Sequence, residues 1–395
     1  MHIVYVSREY QPSRRGGGIA TYLKEVAEQF VRMGHKVTVV AASDDTRKEY
    51  EETVNGVRII RLRGGDFVIP SVERTFFFRR FRPLYRFHAY RKRVAETIKS
   101  LGHIDVIEVA DFGAEALYLQ NLGIPFTIRM HTPSLFDRAT EGIVLRTLRN
   151  FWMYGCMKKE LALISRCRHI TSCSESLRRW TIANTEATEE DLRVIYNPVN
   201  YQSLSSGREE NVLPKGQTNI VFVGTICETK GCRELVEAAI AIKDKYPNLQ
   251  LWLFGKMGLW AEALKKEFQA YEWIHFYGKI DRELLFSIYQ HAALVCLPSW
   301  WDNLPMTCIE AMMAGGLVLG SNAGGMSEML SEGQTGFLVT PKDAKLLAGR
   351  MDEILSLPEE KQMAIREQAK HAAIETYSTE NIAQQLLNYY KEIIE

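Results

Sequence analysis

Short continuous runs of apolar residues alternate with helix-patterned stretches along this chain, and the alternation stops and restarts once. A β-rich segment at 2–6 leads into a basic, glycine-containing loop. From 19 to 33, Leu23, Val26, Ala27, Phe30 and Val31 recur at helical spacing. Gly34 ends that helix, and 35–41, with Val37, Val39 and Val40, reads as a buried strand. Further strands are expected near 57–62, 104–109, 125–130, 168–172 and 193–196, with helices near 88–101, 112–122 and 140–166. Residues 201–218 shift to Ser, Gly and Pro and read as a linker. Strands resume near 220–223, 249–254, 273–277, 293–297, 316–320 and 336–339, and 378–395 reads as an amphipathic helix. Alternation of this kind specifies parallel sheets covered by helices on both faces. With 395 residues the chain exceeds the roughly 250–300 that one core accommodates. The expected architecture is therefore α/β, two Rossmann-like doubly wound domains facing across a cleft, with a ligand beyond the carboxyl ends of the strands.

Composition narrows the function classes. Hydrophobic residues make up 46% and charged residues 25%, which excludes a disordered or collagen-like chain. The seven cysteines, Cys156, Cys167, Cys173, Cys227, Cys232, Cys296 and Cys308, are odd in number and form no C-x-x-C. They read as buried thiols of a reducing compartment, with no metal site. The apolar start at 1–7 is too short for a signal peptide, and no run approaches the roughly 18 residues of a spanning helix. The default location is the cytoplasm. A net charge of +1 hides one local excess: between Arg74 and Arg93 lie eight cations and no acid.

Three motifs fall at strand ends. Gly16-Gly17-Gly18 opens the first helix, where backbone N–H groups can approach a phosphate or a sugar. The spacing is not G-x-G-x-x-G, which disfavours a nicotinamide site, and a flexible turn is the plain alternative. Phe222-Val223-Gly224-Thr225 is followed by Lys230-Gly231 at a helix start, where a lysine can neutralise a diphosphate. The third motif, Asp302-Asn303-Leu304-Pro305-Met306-Thr307 leading to Glu310, follows the strand at 294–297. A helix starting near Leu304 or Pro305 offers amides to a phosphate, and the two carboxylates suit sugar hydroxyls. The plain alternative is a capping aspartate and a helix-surface glutamate.

Asp302-x7-Glu310, with Glu310-Ala311-Met312, Gly315, Gly324-Gly325 and Glu328, resembles the E-x7-E region of the retaining GT-B glycosyltransferases of family four. Gly16–Gly18 resembles their N-terminal glycine loop, Asn197-Pro198-Val199 their hinge turn, and Phe222-Val223-Gly224 with Lys230-Gly231 their phosphate-binding strand and lysine. The resemblance implies that the final helix crosses back onto the first domain. The expected division is 1–200 plus 378–395 on the acceptor side, a linker at 201–218, and a donor-binding domain at 219–377. It further implies that Glu310 holds ribose hydroxyls, Lys230 the diphosphate and Asp302 the donor sugar. Asn303 and the backbone from Leu304 through Pro305 and Met306 to Thr307 then line the donor, and His131, at the end of a strand, stands beside the reacting sugar. Two residues depart from the pattern. Asp302 is one methylene shorter than the usual glutamate. Thr225 stands where the family often has an arginine, with Arg14, Arg15, Lys256 and Lys279 as candidate substitutes.

The resemblance implies transfer of a hexose, first glucose from UDP-glucose, to a hydroxyl of a saccharide or lipid-linked saccharide with retention of configuration. No cofactor or metal is expected, and no Asp-x-Asp motif occurs. A nucleotide-sugar epimerase, a phosphorylase on a related fold, or a non-catalytic sugar-nucleotide binding protein are the alternatives. No nucleic-acid recognition module matches. The basic stretch 74–93 interleaves its cations with Phe76, Phe77, Phe78, Phe81, Tyr85, Phe87 and Tyr90. That pattern suits peripheral docking on an anionic membrane surface at the inner face. Alternatively, its aromatics join the core while the arginines stay solvated.

Overall fold

The computed structural model describes residues 1–13, 17–45, 48–64, 82–133, 151–207 and 212–395, without the side chains of 82–87 and 151–156. The chain divides into two compact units, Met1–Pro198 with Ile382–Glu395, and Val199–Asn381.

The first unit carries an eight-stranded sheet. Its strands are β1 (His2–Val6), β2 (Lys36–Ala42), β3 (Tyr50–Val54), β4 (Val57–Leu62), β5 (Val106–Ala110), β6 (Phe126–Met130), β7 (Ile170–Ser172) and β8 (Leu192–Val194), in the order β3-β4-β2-β1-β5-β6-β7-β8. Every residue of β1 is buried, as a central strand covered on both faces requires. All neighbours pair in parallel except β3 and β4, a hairpin turning at Asn55-Gly56. Helix Gly18–Arg32 buries Tyr22, Leu23, Val26, Ala27 and Phe30 against the sheet. The last helix, Thr379–Ile394, adds Ile382, Leu386, Leu387 and Tyr390 to the same core.

One expectation is corrected here. No regular helix follows β5: Phe112–Tyr118 is a 3-10 helix interrupted by left-handed conformations at Gly113 and Ala114. The turn is pinned from both sides, since Glu160 Oε1 accepts the Gly113 N–H at 2.7 Å and Arg91 Nε donates to the Gly113 carbonyl at 2.8 Å. Part of the stretch expected as a linker at 201–218 has regular structure. Asn200 caps a short helix, Tyr201–Ser205, by accepting from the Ser203 N–H at 2.9 Å, and Leu204 and Leu213 are buried in the second unit. The expected helix at 140–166 is described from 151 onward, as Phe151–Ile164; its earlier part lies outside the described residues.

The second unit has six parallel strands: β9 (Thr218–Val223), β10 (Leu249–Phe254), β11 (Ile274–Gly278), β12 (Leu294–Leu297), β13 (Val318–Ser321) and β14 (Phe337–Val339). Their order is β11-β10-β9-β12-β13-β14. In both sheets the first strand lies inside. The chain builds outward on one side, then crosses to the other, so a switch point lies between β1 and β5 in the first sheet and between β9 and β12 in the second.

Of the basic stretch, 74–81 lies outside the described residues, as do the side chains of Arg82, Tyr85, Arg86 and Phe87. Tyr90 and Arg91 are buried in helix Arg82–Ser100, Arg93 pairs with Glu49, and Lys92 is exposed. Arg91 and Arg93 are thus engaged within the protein. Among the described residues no helix is long and apolar enough to cross a membrane.

The strand ends of the second sheet depend on one close approach. Gly255 follows β10 at φ +151°, and a Cβ there would lie 1.6 Å from the Gly224 carbonyl oxygen. Gly255→Ala is expected to cost about 1–3 kcal/mol from backbone conformation alone, with the clash in addition. Urea unfolding followed by tryptophan fluorescence checks this, since five of the seven tryptophans (252, 260, 273, 300 and 301) lie in this unit. An unchanged midpoint would contradict it.

Candidate functional site

The loops after β9 and β12 meet at the switch point of the second sheet. A 3-10 turn, Glu228–Lys230, ends at Gly231, whose φ of +69° starts helix Cys232–Ile242. A Cβ at 231 would lie 2.2 Å from the Pro298 carbonyl oxygen, so glycine is what lets the two loops touch. They are joined further by the Trp300 N–H, which donates to the Thr229 carbonyl at 2.8 Å, and by Lys230, whose ammonium donates to Asp302 Oδ2. The Asp302 carbonyl in turn accepts the Gly325 N–H at 2.8 Å from the loop after β13. Burial acts to lower the Lys230 pKa, but attraction to Asp302 and the bond between them outweigh it, and the net shift is upward. Lys230 is a cation at neutral pH.

Asn303, Leu304 and Pro305 are buried beneath this junction, and Met306 and Thr307 are half-buried. The helix starts at Met306, one or two residues later than the sequence reading, because Pro305 has an extended backbone and occupies the cap position. No side chain caps it, so its first turn keeps the positive end that favours an anion. Glu310 lies on the buried face at 6% exposure. Arg282 Nη2 donates to its Oε1 at 3.1 Å, and the Tyr289 hydroxyl stands 3.5 Å from its Oε2. Thr225 is exposed, as are Lys256 and Lys279. Arg282, absent from the sequence-based candidates, is the cation on the Glu310 carboxylate. It lies 28 positions earlier in the chain, at the first position of helix Arg282–His291, and no spacing rule connects the two.

In the first unit, Gly17 and Gly18 form an exposed start to helix Gly18–Arg32, again without a side-chain cap. Gly16, Arg14 and Arg15 lie outside the described residues. His131 follows β6 and is 6% exposed. Its backbone N–H donates to Asp111 Oδ2 at 3.2 Å, as does that of Thr132 at 3.1 Å, so a carboxylate at the end of β5 holds the loop after β6. The ring meets the Tyr22 ring edge-on at 4.9 Å between centroids. Burial, and then the Arg129 guanidinium, push its pKa well below the usual 6.5, so the imidazole is neutral. Asp111 and Arg129 carried no motif signal of their own; their roles come from neighbouring parallel strands.

Two family models match the chain in succession. One described as Glycosyltransferase Family 4 covers residues 16–203, and one described as Glycosyl transferases group 1 covers 206–372. An uncharacterized glycosyltransferase of Methanocaldococcus jannaschii is 26% identical over 416 residues, spanning 100% of this chain and 99% of that protein. Sucrose-phosphate synthase from Thermosynechococcus elongatus has the same fold, with a TM-score of 0.80 at 21% identity over 99% of this chain and 98% of its own. Anabaena HepE, solved in complex with UDP-glucose, aligns with a TM-score of 0.70 at 17% identity over 99% and 100%.

The carboxylate behind His131 has a consequence for stability. Burial, and then the Glu160 charge, raise the Asp111 pKa from 3.8 to about 7, against the backbone N–H groups of His131, Phe112 and Thr132, which lower it. The folded chain therefore holds this proton more tightly than the unfolded chain. The stability it contributes is complete below about pH 4 and is lost as pH rises through about 7. Asp111→Asn is expected to reduce the fall in urea midpoint between acidic and alkaline buffer; an identical pH dependence in both proteins would contradict the assignment.

Proposed function

The chain belongs to the group 1 glycosyltransferases of the GT-B type, and on that premise we propose that it transfers a hexose from a nucleoside diphosphate sugar to an acceptor hydroxyl with retention of anomeric configuration. The observation that carries the donor assignment is the meeting of Lys230, Asp302, an uncapped helix start and Glu310 at the β9/β12 switch point. A diphosphate takes the Lys230 ammonium and the amides of the first helical turn. The ribose hydroxyls take the Glu310 carboxylate, and Asp302 takes a hydroxyl of the sugar. Each carboxylate already holds a cation, so the donor enters by exchange: phosphate oxygens compete with Asp302 for Lys230, and ribose hydroxyls compete with Arg282 for Glu310. UDP-glucose is the first donor to test, a choice supported by its presence in the HepE structure.

The chemistry follows from these parts. The bond between the anomeric carbon and the diphosphate oxygen breaks, and the acceptor oxygen bonds to the same face of that carbon. The acceptor proton passes to the departing diphosphate. Lys230 and the helix amides stabilise the charge that develops on the leaving group, with no metal required. His131, neutral, offers a hydrogen-bonding imidazole to a sugar hydroxyl rather than a charge. The acceptor is a hydroxyl of a saccharide or a lipid-linked saccharide.

Lys230→Ala is expected to lower kcat/KM by about 10²–10³ and to weaken nucleotide binding in calorimetry. Product analysis by proton NMR should show the anomeric configuration of the donor. Unchanged transfer and donor affinity in the variant would remove the assignment, and an inverted product would remove retention.

A further inference from the structure

We propose that Glu108, Arg129, Tyr22 and Tyr390 form a buried positioning network that sets the His131 imidazole and ties it to both passes of the chain between its two units. The inference rests on the transferase reading only for what His131 does.

Tyr22 is the hub. Its hydroxyl donates to Glu108 Oε1 at 2.9 Å, the Arg129 guanidinium carbon sits 4.5 Å over its ring, and its ring meets His131. One aromatic side chain thus touches the carboxylate, the cation and the imidazole. Both charges are nearly sealed from water, with Arg129 at 1% and Glu108 at 3% exposure. Burial at that level is sustained only where opposite charge and hydrogen bonds offset desolvation. The second Glu108 oxygen accepts from the Tyr390 hydroxyl at 2.7 Å, and that hydroxyl lies 3.3 Å from the hydroxyl of Tyr5 on β1.

The network's outer contacts give it a direction. Arg129 Nη2 donates to the Tyr196 carbonyl at 3.2 Å and to Asn197 Oδ1 at 2.8 Å. Those residues stand where the chain leaves the first unit, which ends at Pro198. Tyr390 stands on the helix that brings the chain back from Ile382 onward. The outgoing and returning passes are therefore both bonded into one cluster, and His131 is two residues from Arg129. A shift in either pass moves a hydrogen-bond partner of this cluster. Tyr22, Glu108, Arg129 and Tyr390 are positioning residues, acting on the sugar only through His131.

Tyr390→Phe removes one hydroxyl and no volume of consequence. Tyr389→Phe is its control: the same helix, and a hydroxyl directed to the Ile170 carbonyl at 3.4 Å. With UDP-glucose as donor, Tyr390→Phe should lower kcat about ten-fold through misplacement of the imidazole, with donor KM held within about two-fold. In protein carrying 13C-labelled histidine it should also shift the His131 ring resonance, while Tyr389→Phe leaves kcat and the resonance as in the unmodified chain. Asn197→Ala, which breaks the contact at the outgoing pass, should give the same signature and serves if Tyr390→Phe does not fold. An unmoved His131 resonance with unchanged kcat, or the same effect from Tyr389→Phe, overturns the network. If the unmodified chain transfers no sugar from any nucleotide donor, the functional reading fails, and the resonance alone still decides the network.

Discussion

Both halves of this protein are organised by where each sheet begins. A parallel sheet started at its middle must be built outward in one direction and then the other, and the reversal leaves a crevice at the carboxyl ends of the strands that flank it. In the second unit that reversal lies between β9 and β12, and the two loops leaving it carry Lys230 and Asp302. In the first unit it lies between β1 and β5, with Asp111 directly after β5 and His131 at the end of the next strand. The parallel register is what makes residues far apart in sequence neighbours at the strand ends.

The two units handle charge differently. Lys230 and Asp302 keep 30% and 20% of their side-chain surface, and Arg282 on Glu310 keeps 42%. Pairs with that much solvent contribute little to stability and exchange partners readily. Arg129 and Glu108 have given up nearly all their solvent and are hydrogen-bonded by groups of the first unit itself. Separation of any one partner leaves an uncompensated buried charge, which is far more costly than loss of a surface pair. One unit therefore presents charges for a ligand to compete over, and the other fixes charges to hold geometry.

Much of this was legible in the sequence because strand and helix periodicity differ and because glycine, proline and charged residues punctuate strand ends. The strands 57–62, 125–130 and 249–254, and the loop motifs at 224–231 and 302–310, stand close to where the alternation put them. Departures have local causes. Residues 112–118 have helical composition, but Gly113 and Ala114 turn left-handed under contacts from Glu160 and Arg91, both distant in sequence. The hairpin β3–β4 carried an Asn-Gly turn signal, yet β3 has no buried face to mark it as a strand. Arg282, Asp111 and Glu108 carry no spacing signal, because their partners are brought to them by the register of neighbouring strands or by the docking of a helix.

The last helix has a consequence for the order in which the molecule can be made. Ile382, Ala383, Leu386, Leu387, Tyr389 and Tyr390 complete a core whose other members, Ile3, Tyr5, Tyr22, Val26 and Phe30 among them, leave the ribosome before the second unit does. Everything between Val199 and Asn381 is synthesised before that core can close. A nascent first unit thus waits with an apolar face uncovered and the Glu108 carboxylate lacking its Tyr390 donor, while the second unit, whose residues are contiguous, folds on emergence. Such a face is a surface for chaperones or for aggregation during synthesis, and translation speed through the second unit sets how long it stays open.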